Sequence, residues 1–231
     1  SFALADIHKL LRAAAYFLGA GAYFAEILVL TDGVMRMSCD LSASLPRLRA
    51  DRLGRELLVR AARVRGVDGP TCVDCTAGLG EDSLLLAAAG FRVTMFERDP
   101  TIAALLADGL ARAACDPALA DVAARMSLVE GDSVAGLASL GFAPDVVYLD
   151  PMFPGRTKSA AVKKKFQLLH HLERPCDDAE ADVLVRAAVA CGPRKVVIKR
   201  PAKGPLLAGA KPSYSVSGKA VRYDCLVPPR D

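Results

Sequence analysis

Residues 69–90 read GPTCVDCTAGLGEDSLLLAAAG. The apolar run from Thr71 to Cys75 predicts a short buried strand, and the leucine- and alanine-rich stretch after the glycines predicts a helix. Gly78 and Gly80 let the intervening backbone turn sharply and approach a ligand closely. A strand, a glycine loop and a helix in this order predict the first unit of an α/β fold, with a ligand site at the loop.

Apolar strands and helical patterns alternate through the rest of the chain. Further strands are predicted in FRVTMFERDP, ARMSLVEGDS, DVVYLD and RKVVIKRP, and two short ones near residues 213–216 and 221–227. Helices are predicted in DRLGRELLVRAARVR, TIAALLADGLARAAC and DAEADVLVRAAVACG. This alternation predicts an α/β fold with a doubly wound, mostly parallel sheet, whose ligands bind beyond the carboxyl ends of the strands.

The first fifty residues follow a different pattern. The apolar stretch 13–25 resembles the hydrophobic region of a signal peptide but is too short to span a membrane before Glu26, so we expect an amphipathic or buried helix. The Asp32–Gly33 pair between two apolar runs predicts a hairpin. We therefore divide the chain into a small extension, residues 1–50, and an α/β domain, residues 51–231.

Composition favours a folded protein with a basic side. Of the 231 residues 52% are hydrophobic, which is enough for a full core and argues against disorder. The net charge is only +4, but residues 151–172 and 183–223 contain many lysines and arginines and no acid. One basic run alone is typical of a solvated face, whereas two runs that flank one motif favour a polyanionic partner.

The seven cysteines are odd in number and scattered, which indicates reduced thiols of a cytosolic protein rather than a disulfide framework. Cys72 and Cys75 form a CxxC pair, but no second pair follows to complete a zinc site, and the histidines are distant in sequence. We therefore expect no metal.

The residues after the glycine loop restrict its ligand. Glu81 and Asp82 open the predicted helix, and two carboxylates would repel the pyrophosphate that a helix N-terminus otherwise attracts. The loop also lacks the G-x-G-x-x-G pattern and a Walker lysine. A ligand with a positive centre, such as S-adenosylmethionine, suits the loop better, and a tight turn without a ligand is the alternative.

Acids also end the second and third predicted strands. Glu97 lies about twenty residues after the glycine loop, where dinucleotide folds place the acid that binds ribose hydroxyls. Asp132, beside Ser133, could accept a hydrogen bond from an adenine amino group. The alternatives are a surface or capping acid for Glu97 and an ordinary helix N-cap for Asp132.

The fourth predicted strand ends in a stiff, acidic motif. Residues 147–166 read VYLDPMFPGRTKSAAVKKKF. Pro151 keeps Asp150 out of helical dihedrals, and Phe153 offers a face on which a flat base can stack. The Asp150 carboxylate and the Pro151 carbonyl could accept the two N–H groups of an exocyclic amine and so direct its lone pair at a methyl donor. The alternative is a proline-rich loop without a function.

Three stretches together, VDCTAGLGEDSLLLAAAGFRVTMFERDP, VVYLDPMFPGRTKSAAVKKK and VVIKRP, resemble the ribosomal RNA small subunit methyltransferase J family. The resemblance runs in order from about Arg52 to about Val227. It implies a class I, Rossmann-like methyltransferase domain that transfers a methyl group from S-adenosylmethionine to N2 of a specific guanine in 16S rRNA, and that releases S-adenosylhomocysteine. It also implies a cytoplasmic enzyme of rRNA processing that acts on 16S rRNA or the small ribosomal subunit, away from membranes and without an obligate protein partner.

The residue patterns and the resemblance together predict three sets of site residues. The catalytic set is Asp150, Pro151 and Phe153. The cofactor set is Asp74, Gly78, Gly80, Glu81, Asp82, Glu97, Arg98, Asp132, Ser133 and Asp150. The RNA-binding set, which would grip phosphates around the mouth of the site, is Lys158, Lys163, Lys164, Lys165, Lys199 and Arg200.

Other functions compete with this hypothesis. An amino methyltransferase of DNA adenine or cytosine is the first alternative, although the chain shows no separate target-recognition domain. A catalytically silent module that binds S-adenosylmethionine and RNA is the second, and the intact Asp150 and Phe153 argue against it. The acidic start of the helix disfavours an NAD dehydrogenase.

Overall fold

The computed structural model describes residues 9–16, 25–31, 36–152 and 176–229. Its strands are β1 (Lys9–Tyr16), β2 (Ala25–Thr31), β3 (Arg36–Met37), β4 (Thr71–Asp74), β5 (Arg92–Glu97), β6 (Met126–Glu130), β7 (Val146–Leu149), β8 (Lys195–Pro201), β9 (Tyr214–Ser217) and β10 (Val221–Leu226). Its helices are α1 (Leu45–Leu48), α2 (Ala50–Leu53), α3 (Leu57–Ala62), α4 (Glu81–Ala88), α5 (Pro100–Cys115), α6 (Ala120–Ala123), α7 (Ser133–Ala138) and α8 (Asp178–Ala190). Leu41–Ser44 and Leu207–Gly209 form 3-10 turns.

The main sheet has seven strands in the order β6-β5-β4-β7-β8-β10-β9. The strands from β6 to β8 pair in parallel, whereas β10 is antiparallel to both β8 and β9. This arrangement confirms the predicted mostly parallel sheet. The chain leaves β4 towards β5 on one side and reaches β7 on the other, so the strand order reverses between β4 and β7. A crevice for ligands is expected at the carboxyl ends of these two strands.

Helices cover both faces of the sheet because its central strands are apolar on both sides. All four residues of β7 are buried. Val146 and Tyr148 join the core under α3, α4 and α5, while Val147 and Leu149 join the core under α7 and α8. Side chains that alternate between two buried faces are typical of a parallel sheet enclosed by helices.

The longer helices begin at identifiable caps. Asp99 caps α5 by accepting hydrogen bonds from the backbone N–H groups of Thr101 and Ile102, at 2.8 and 3.0 Å. Asp177 and Glu180 form a reciprocal capping box at the start of α8. Both helices lie where the sequence predicts them, within two residues at either end.

The prediction of one continuous helix over residues 51–65 is wrong. The structure contains α2 and α3 instead, separated by a break at which Glu56 is extended. The Glu56 carboxylate accepts hydrogen bonds from Nε and Nη2 of Arg47, at 3.0 and 2.9 Å. The break follows Gly54, the C-cap of α2, and the bidentate Arg47–Glu56 pair joins the two sides of it.

The helix predicted over residues 13–25 is also wrong where the structure describes it. Residues up to Tyr16 belong to β1, which pairs antiparallel with β2 from Lys9 opposite Thr31 onwards. An apolar run without clear periodicity fits a buried helix and a strand equally well, and only the pairing partner separates them. The predicted hairpin is confirmed by the antiparallel pairing of β2 with β3.

No helix within the described ranges is long and apolar enough to cross a bilayer. The boundary proposed at residue 50 stays a prediction.

Candidate functional site

Backbone contacts join the carboxyl ends of the central strands into one crevice. The N–H of Cys75 donates to the carbonyl of Tyr148 at 3.0 Å, which links the end of β4 to β7. The N–H of Gly131 donates to the carbonyl of Glu97 at 2.8 Å, which links the end of β6 to β5. The acids predicted at the strand ends are therefore brought to a single edge of the sheet.

The glycine loop adopts the left-handed turns that its sequence predicts. Gly78 has φ +54° and Gly80, the N-cap of α4, has φ +75°. A Cβ atom at Gly80 would lie 2.7 Å from Leu106 Cδ1, whereas a Cβ atom at Gly78 would meet nothing within 4 Å. The positive φ of Gly80 and its close approach to Leu106 of α5 both favour glycine there, and Gly78 faces open space in which a ligand can lie.

Asp74 lies beneath this loop and is only 1% exposed. Its carboxylate accepts hydrogen bonds from the Thr76 N–H at 3.0 Å and from the Ser83 hydroxyl at 2.6 Å. Burial raises its pKa to about 7, although these hydrogen bonds act in the opposite direction. In this structure Asp74 holds the glycine loop to the first turn of α4, and a cofactor contact of its own stays a prediction.

Glu97 closes the other side of the loop. Its two carboxylate oxygens accept the N–H groups of Gly78 and Asp99, each at 2.9 Å, and burial raises its pKa. A carboxylate offers about four lone-pair positions, so acceptor capacity remains for a hydroxyl donor of a ligand. Glu97 is therefore oriented by the same loop that would contact the ligand.

The other predicted cofactor residues at the ends of β5 and β6 are more exposed to solvent. Arg98 and Asp132 are exposed at the ends of β5 and β6. Asp132 is the N-cap of α7 and accepts a hydrogen bond from the Ala135 N–H at 3.0 Å, as the capping alternative requires. The Ser133 hydroxyl hydrogen-bonds the Cys75 thiol, which places Ser133 against the end of β4.

A lysine joins two carboxylates on the other side of the crevice. Lys199 Nζ lies 2.6 Å from Asp82 Oδ2 and 2.8 Å from Asp150 Oδ2. Burial lowers the pKa of Lys199, but the two carboxylates outweigh it and raise the pKa above its ordinary value. The Tyr148 hydroxyl donates to the same Asp82 oxygen at 2.6 Å. We call Asp82, Lys199, Asp150 and Tyr148 the lysine-centred network.

Asp150 is also held through its backbone. Its N–H donates to the Thr76 hydroxyl at 2.7 Å, so the glycine loop and the β7 end share a direct contact. The next residue, Pro151, is buried. Phe153, the third residue of the predicted catalytic set, lies outside the described residues.

The helix start is acidic, as the sequence indicates. Glu81 and Asp82 occupy the first turn of α4, where they complement the helix dipole. Lys199 and the more distant Arg47 compensate part of this charge. The crevice therefore offers carboxylates to a cationic ligand and disfavours pyrophosphate.

The structure changes the expectation for the two RNA-binding residues that it describes. Lys199 belongs to the lysine-centred network, and its side chain is 25% exposed. Arg200 is 2% exposed and donates from Nε to the carbonyl of Pro205 at 2.8 Å, so it lacks the open surface that a phosphate contact requires. The other predicted contacts lie outside the described residues: Lys158, Lys163, Lys164 and Lys165.

The CxxC pair is divided by the sheet. Cys72 belongs to the core under α3 to α5, and Cys75 belongs to the core under α7 and α8. Burial raises the pKa of both thiols, which keeps them protonated and unreactive. Within the described ranges, no cluster of three or more histidines, cysteines or acids could hold a metal ion.

Sequence reasoning missed the residues that orient the site. Thr76, Ser83 and Tyr148 were not predicted, and Lys199 was assigned to RNA. A signal did exist for Lys199, since β7 and β8 pair in parallel with Leu149 opposite Ile198. That register places Lys199 beside Asp150. The sequence alone does not show which strands are neighbours in the sheet, so this signal could be used only once the fold was known.

Known proteins are similar to this chain in sequence and in fold. The sequence model of a SAM-dependent methyltransferase family matches residues 30–228. Ribosomal RNA small subunit methyltransferase J of Thioalkalivibrio sulfidiphilus is 49% identical over 177 residues, which cover 76% of this chain and 69% of that protein. The protein of the same name from Pseudomonas aeruginosa is 46% identical over 193 residues, which cover 83% and 73%.

Two solved structures are similar. A SAM-dependent methyltransferase of Neisseria gonorrhoeae superimposes with a TM-score of 0.72 at 34% identity, over 87% of this chain and 79% of that one. The rRNA methyltransferase AviRa of Streptomyces viridochromogenes, with a TM-score of 0.51 and 19% identity over 76% and 84%, shares the fold. The mostly parallel sheet is that of a class I methyltransferase. The chain belongs to the SAM-dependent methyltransferase family that includes ribosomal RNA small subunit methyltransferase J.

Proposed function

We propose that this methyltransferase transfers a methyl group from S-adenosylmethionine to the exocyclic N2 amine of a guanine in 16S rRNA. The names of its relatives support small-subunit rRNA as the substrate. The observation that carries the proposal is the fixed position of Asp150, which is held by the Thr76 hydroxyl and by Lys199 at the edge of the glycine loop. This position suits an acceptor for an amine that must lie beside the methyl donor.

The residues of the crevice fit S-adenosylmethionine. We assign the ribose hydroxyls to Glu97, the adenine end to Asp132 and Ser133, and the cationic methionine end to the acidic start of α4 near Gly78. The carboxylates suit its sulfonium and ammonium charges, and the space beside Gly78 admits a ligand. S-adenosylmethionine supplies an electrophilic methyl group and leaves as S-adenosylhomocysteine, so the proposed chemistry requires no metal.

Asp150 and Pro151 would hold the guanine amine. The two N–H groups of the amine would donate to the Asp150 carboxylate and to the Pro151 carbonyl, which aims the nitrogen lone pair at the methyl donor. Phe153 would stack on the base. Since the amine nitrogen loses one proton as it gains the methyl group, Asp150 is the acceptor that we assign to that proton, with Lys199 balancing its charge before transfer.

The proposed substrate is large, and the enzyme would act on it in the cytoplasm. Guanine must leave its stack to reach Asp150, so a single-stranded or loosened segment of 16S rRNA, free or in the small ribosomal subunit, is the partner we expect. No additional protein partner is needed for this chemistry. We assign it to residues 51–231, with residues 1–50 as an extension.

The test is methyl transfer from labelled S-adenosylmethionine to small ribosomal subunits that lack this modification. We expect label in N2-methylguanosine at one site. Asp150→Asn should lower kcat at least about a hundredfold, because it removes the charged acceptor, while calorimetric S-adenosylmethionine affinity changes little. Asp68→Asn, on an exposed loop before β4, is the matched control. Label in another nucleoside, or full turnover by Asp150→Asn, would contradict the proposal.

A further inference from the structure

A group of cationic side chains lies at the amino end of β8, at the opposite end of the parallel strands from the crevice. β8 begins at Lys195 and ends beside the crevice, and the four-residue step from Lys195 to Lys199 spans about 13 Å. At the start of β8 an open cavity of about 440 Å³ is lined by Arg60, Arg63, Val64, Arg65, Arg194, Lys195, Tyr214 and Val227. We call this cavity the basic edge site.

The inner cations of the basic edge site are fixed by the protein. Lys195 Nζ donates to the carbonyls of Ala61 and Arg63, at 3.1 and 2.9 Å, and to the Tyr214 hydroxyl at 2.8 Å. Arg194 pairs with Asp145 at 2.7 Å. These contacts tie the end of α3 to the starts of β8 and β9, so the cavity has a rigid base.

The outer cations have no such partners. Arg60, Arg63 and Arg65 are exposed, and their guanidinium groups form no ion pair with any residue in the described ranges. Three exposed like charges around one cavity raise the local positive potential, which attracts an anion. Guanidinium groups bind phosphate oxygens in bidentate geometry. The positive charge of these arginines in the basic edge site therefore suits a phosphate ligand.

The form of the site favours a phosphate chain over a small anion. The three arginines belong to one segment of six residues and line a cavity that is open to solvent. Tyr214 adds an aromatic side chain that is 43% exposed, with Lys195 Nζ 5.6 Å from the ring centre. Cations beside an exposed aromatic ring are typical of surfaces that bind nucleic acid backbones and unstacked bases.

We infer that the basic edge site binds the phosphate backbone of the RNA substrate at a distance from the methylated base. This inference rests on the proposed function, because it assigns a second contact to the same RNA. The step from Lys195 to Lys199 along β8 separates the two sites by about 13 Å, a distance that a few successive nucleotides span. A structured RNA that inserts a guanine into the crevice is therefore large enough to reach the arginines as well.

The experiment measures RNA binding and methyl transfer separately. The triple variant Arg60→Ala, Arg63→Ala, Arg65→Ala is compared with a control of equal charge, Arg36→Ala, Arg92→Ala, Arg186→Ala, whose arginines are exposed on β3, β5 and α8. Binding of a short fluorescein-labelled RNA duplex with single-stranded ends is followed by anisotropy over a series of salt concentrations. S-adenosylmethionine affinity and methyl transfer to small ribosomal subunits are measured in parallel.

We expect the first triple variant to lower the slope of log K against log salt by about two to three, roughly 0.9 for each lost phosphate contact. The control should keep the wild-type slope, and so should Arg60→Lys, Arg63→Lys, Arg65→Lys. S-adenosylmethionine affinity should be unchanged, and transfer at limiting subunit concentration should fall in proportion to binding. Equal slopes in the two alanine triples would overturn the inference. Failure of the wild-type enzyme to methylate subunits would refute the proposed function instead, since the slopes are measured without turnover.

Discussion

The two halves of the crevice hold their carboxylates in different ways. On the cofactor side, Asp74 and Glu97 accept hydrogen bonds from neutral N–H and hydroxyl groups of the glycine loop and its flanks. On the substrate side, Asp82 and Asp150 share the ammonium group of Lys199. Neutral donors orient a carboxylate and leave its charge in place. A lysine orients the carboxylate and also neutralises its charge.

This difference suits the two ligands that we propose. Neutral donors orient the Glu97 carboxylate and leave it able to accept the ribose hydroxyls of the methyl donor. A neutral guanine amine needs an oriented acceptor, and uncompensated repulsion between Asp82 and Asp150 would disturb that orientation. On the cofactor side we therefore expect stability and ligand affinity to depend on the buried carboxylates and on pH. On the substrate side we expect stability and kcat to depend on the Lys199 cation.

Removing that cation should have the largest effect. Lys199→Met leaves Asp82 and Asp150 close together without compensation, so we expect a loss of about 1–3 kcal/mol in the free energy of unfolding, less than for a fully buried pair. We also expect kcat for methyl transfer to fall about a hundredfold or more because Asp150 loses its orientation. Denaturant unfolding and single-turnover transfer measure the two effects.

Two variants sharpen this test. Lys203→Met removes an exposed lysine that follows β8 and should change neither quantity. Adding Asp82→Asn to Lys199→Met should restore part of the stability, because one of the two repelling charges is removed. If Lys199→Met instead kept full kcat and lowered only the salt dependence of RNA binding, Lys199 would be a phosphate contact and not a positioning residue.

Glu97→Ala tests the cofactor side. The variant removes the acceptor that we assign to the ribose hydroxyls and leaves the Gly78 N–H without its partner, so S-adenosylmethionine binding should weaken by about 1–3 kcal/mol. Glu130 lies opposite Glu97 in the β5–β6 register and is exposed, which makes Glu130→Ala the matched control. Equal calorimetric affinities of the two variants would refute the assignment of Glu97.

The smallest expected effect is the pH dependence that Asp74 contributes. Burial raises its folded-state pKa from 3.8 to about 7, so the folded protein binds a proton that the unfolded chain has released in this range. The contribution of Asp74 to stability is therefore fully present below pH 4 and is lost as the pH rises towards 7.

Asp74→Asn keeps the shape and can still accept from Thr76 and donate to the Ser83 oxygen. The stability of the wild type relative to this variant should fall by about 2 kcal/mol between pH 5 and pH 7, as measured by urea unfolding. Parallel pH profiles would show that the hydrogen bonds from Ser83 and Thr76 keep Asp74 ionised in the folded protein.

Local sequence patterns determined most of the main fold and the order of its elements. The strand, glycine loop and helix at residues 69–90 are correctly predicted because chain neighbours set hydrophobic periodicity, caps and positive φ angles. The same patterns placed Glu97, Asp132 and Asp150 at strand ends, and parallel strands bring such ends to one edge. The family resemblance was likewise readable from three short motifs.

Tertiary structure alone decided which partners those residues have. The bidentate pair of Arg47 with Glu56 lies across the break in a predicted helix, and the pairing of β1 with β2 replaces another. Lys199 lies 117 residues from Asp82 in the chain, yet their charged atoms are 2.6 Å apart. Periodicity shows which face of an element is buried but not which element covers it. The ion pairs of the crevice, and the arginines without partners at the opposite edge, therefore became visible only in the folded chain.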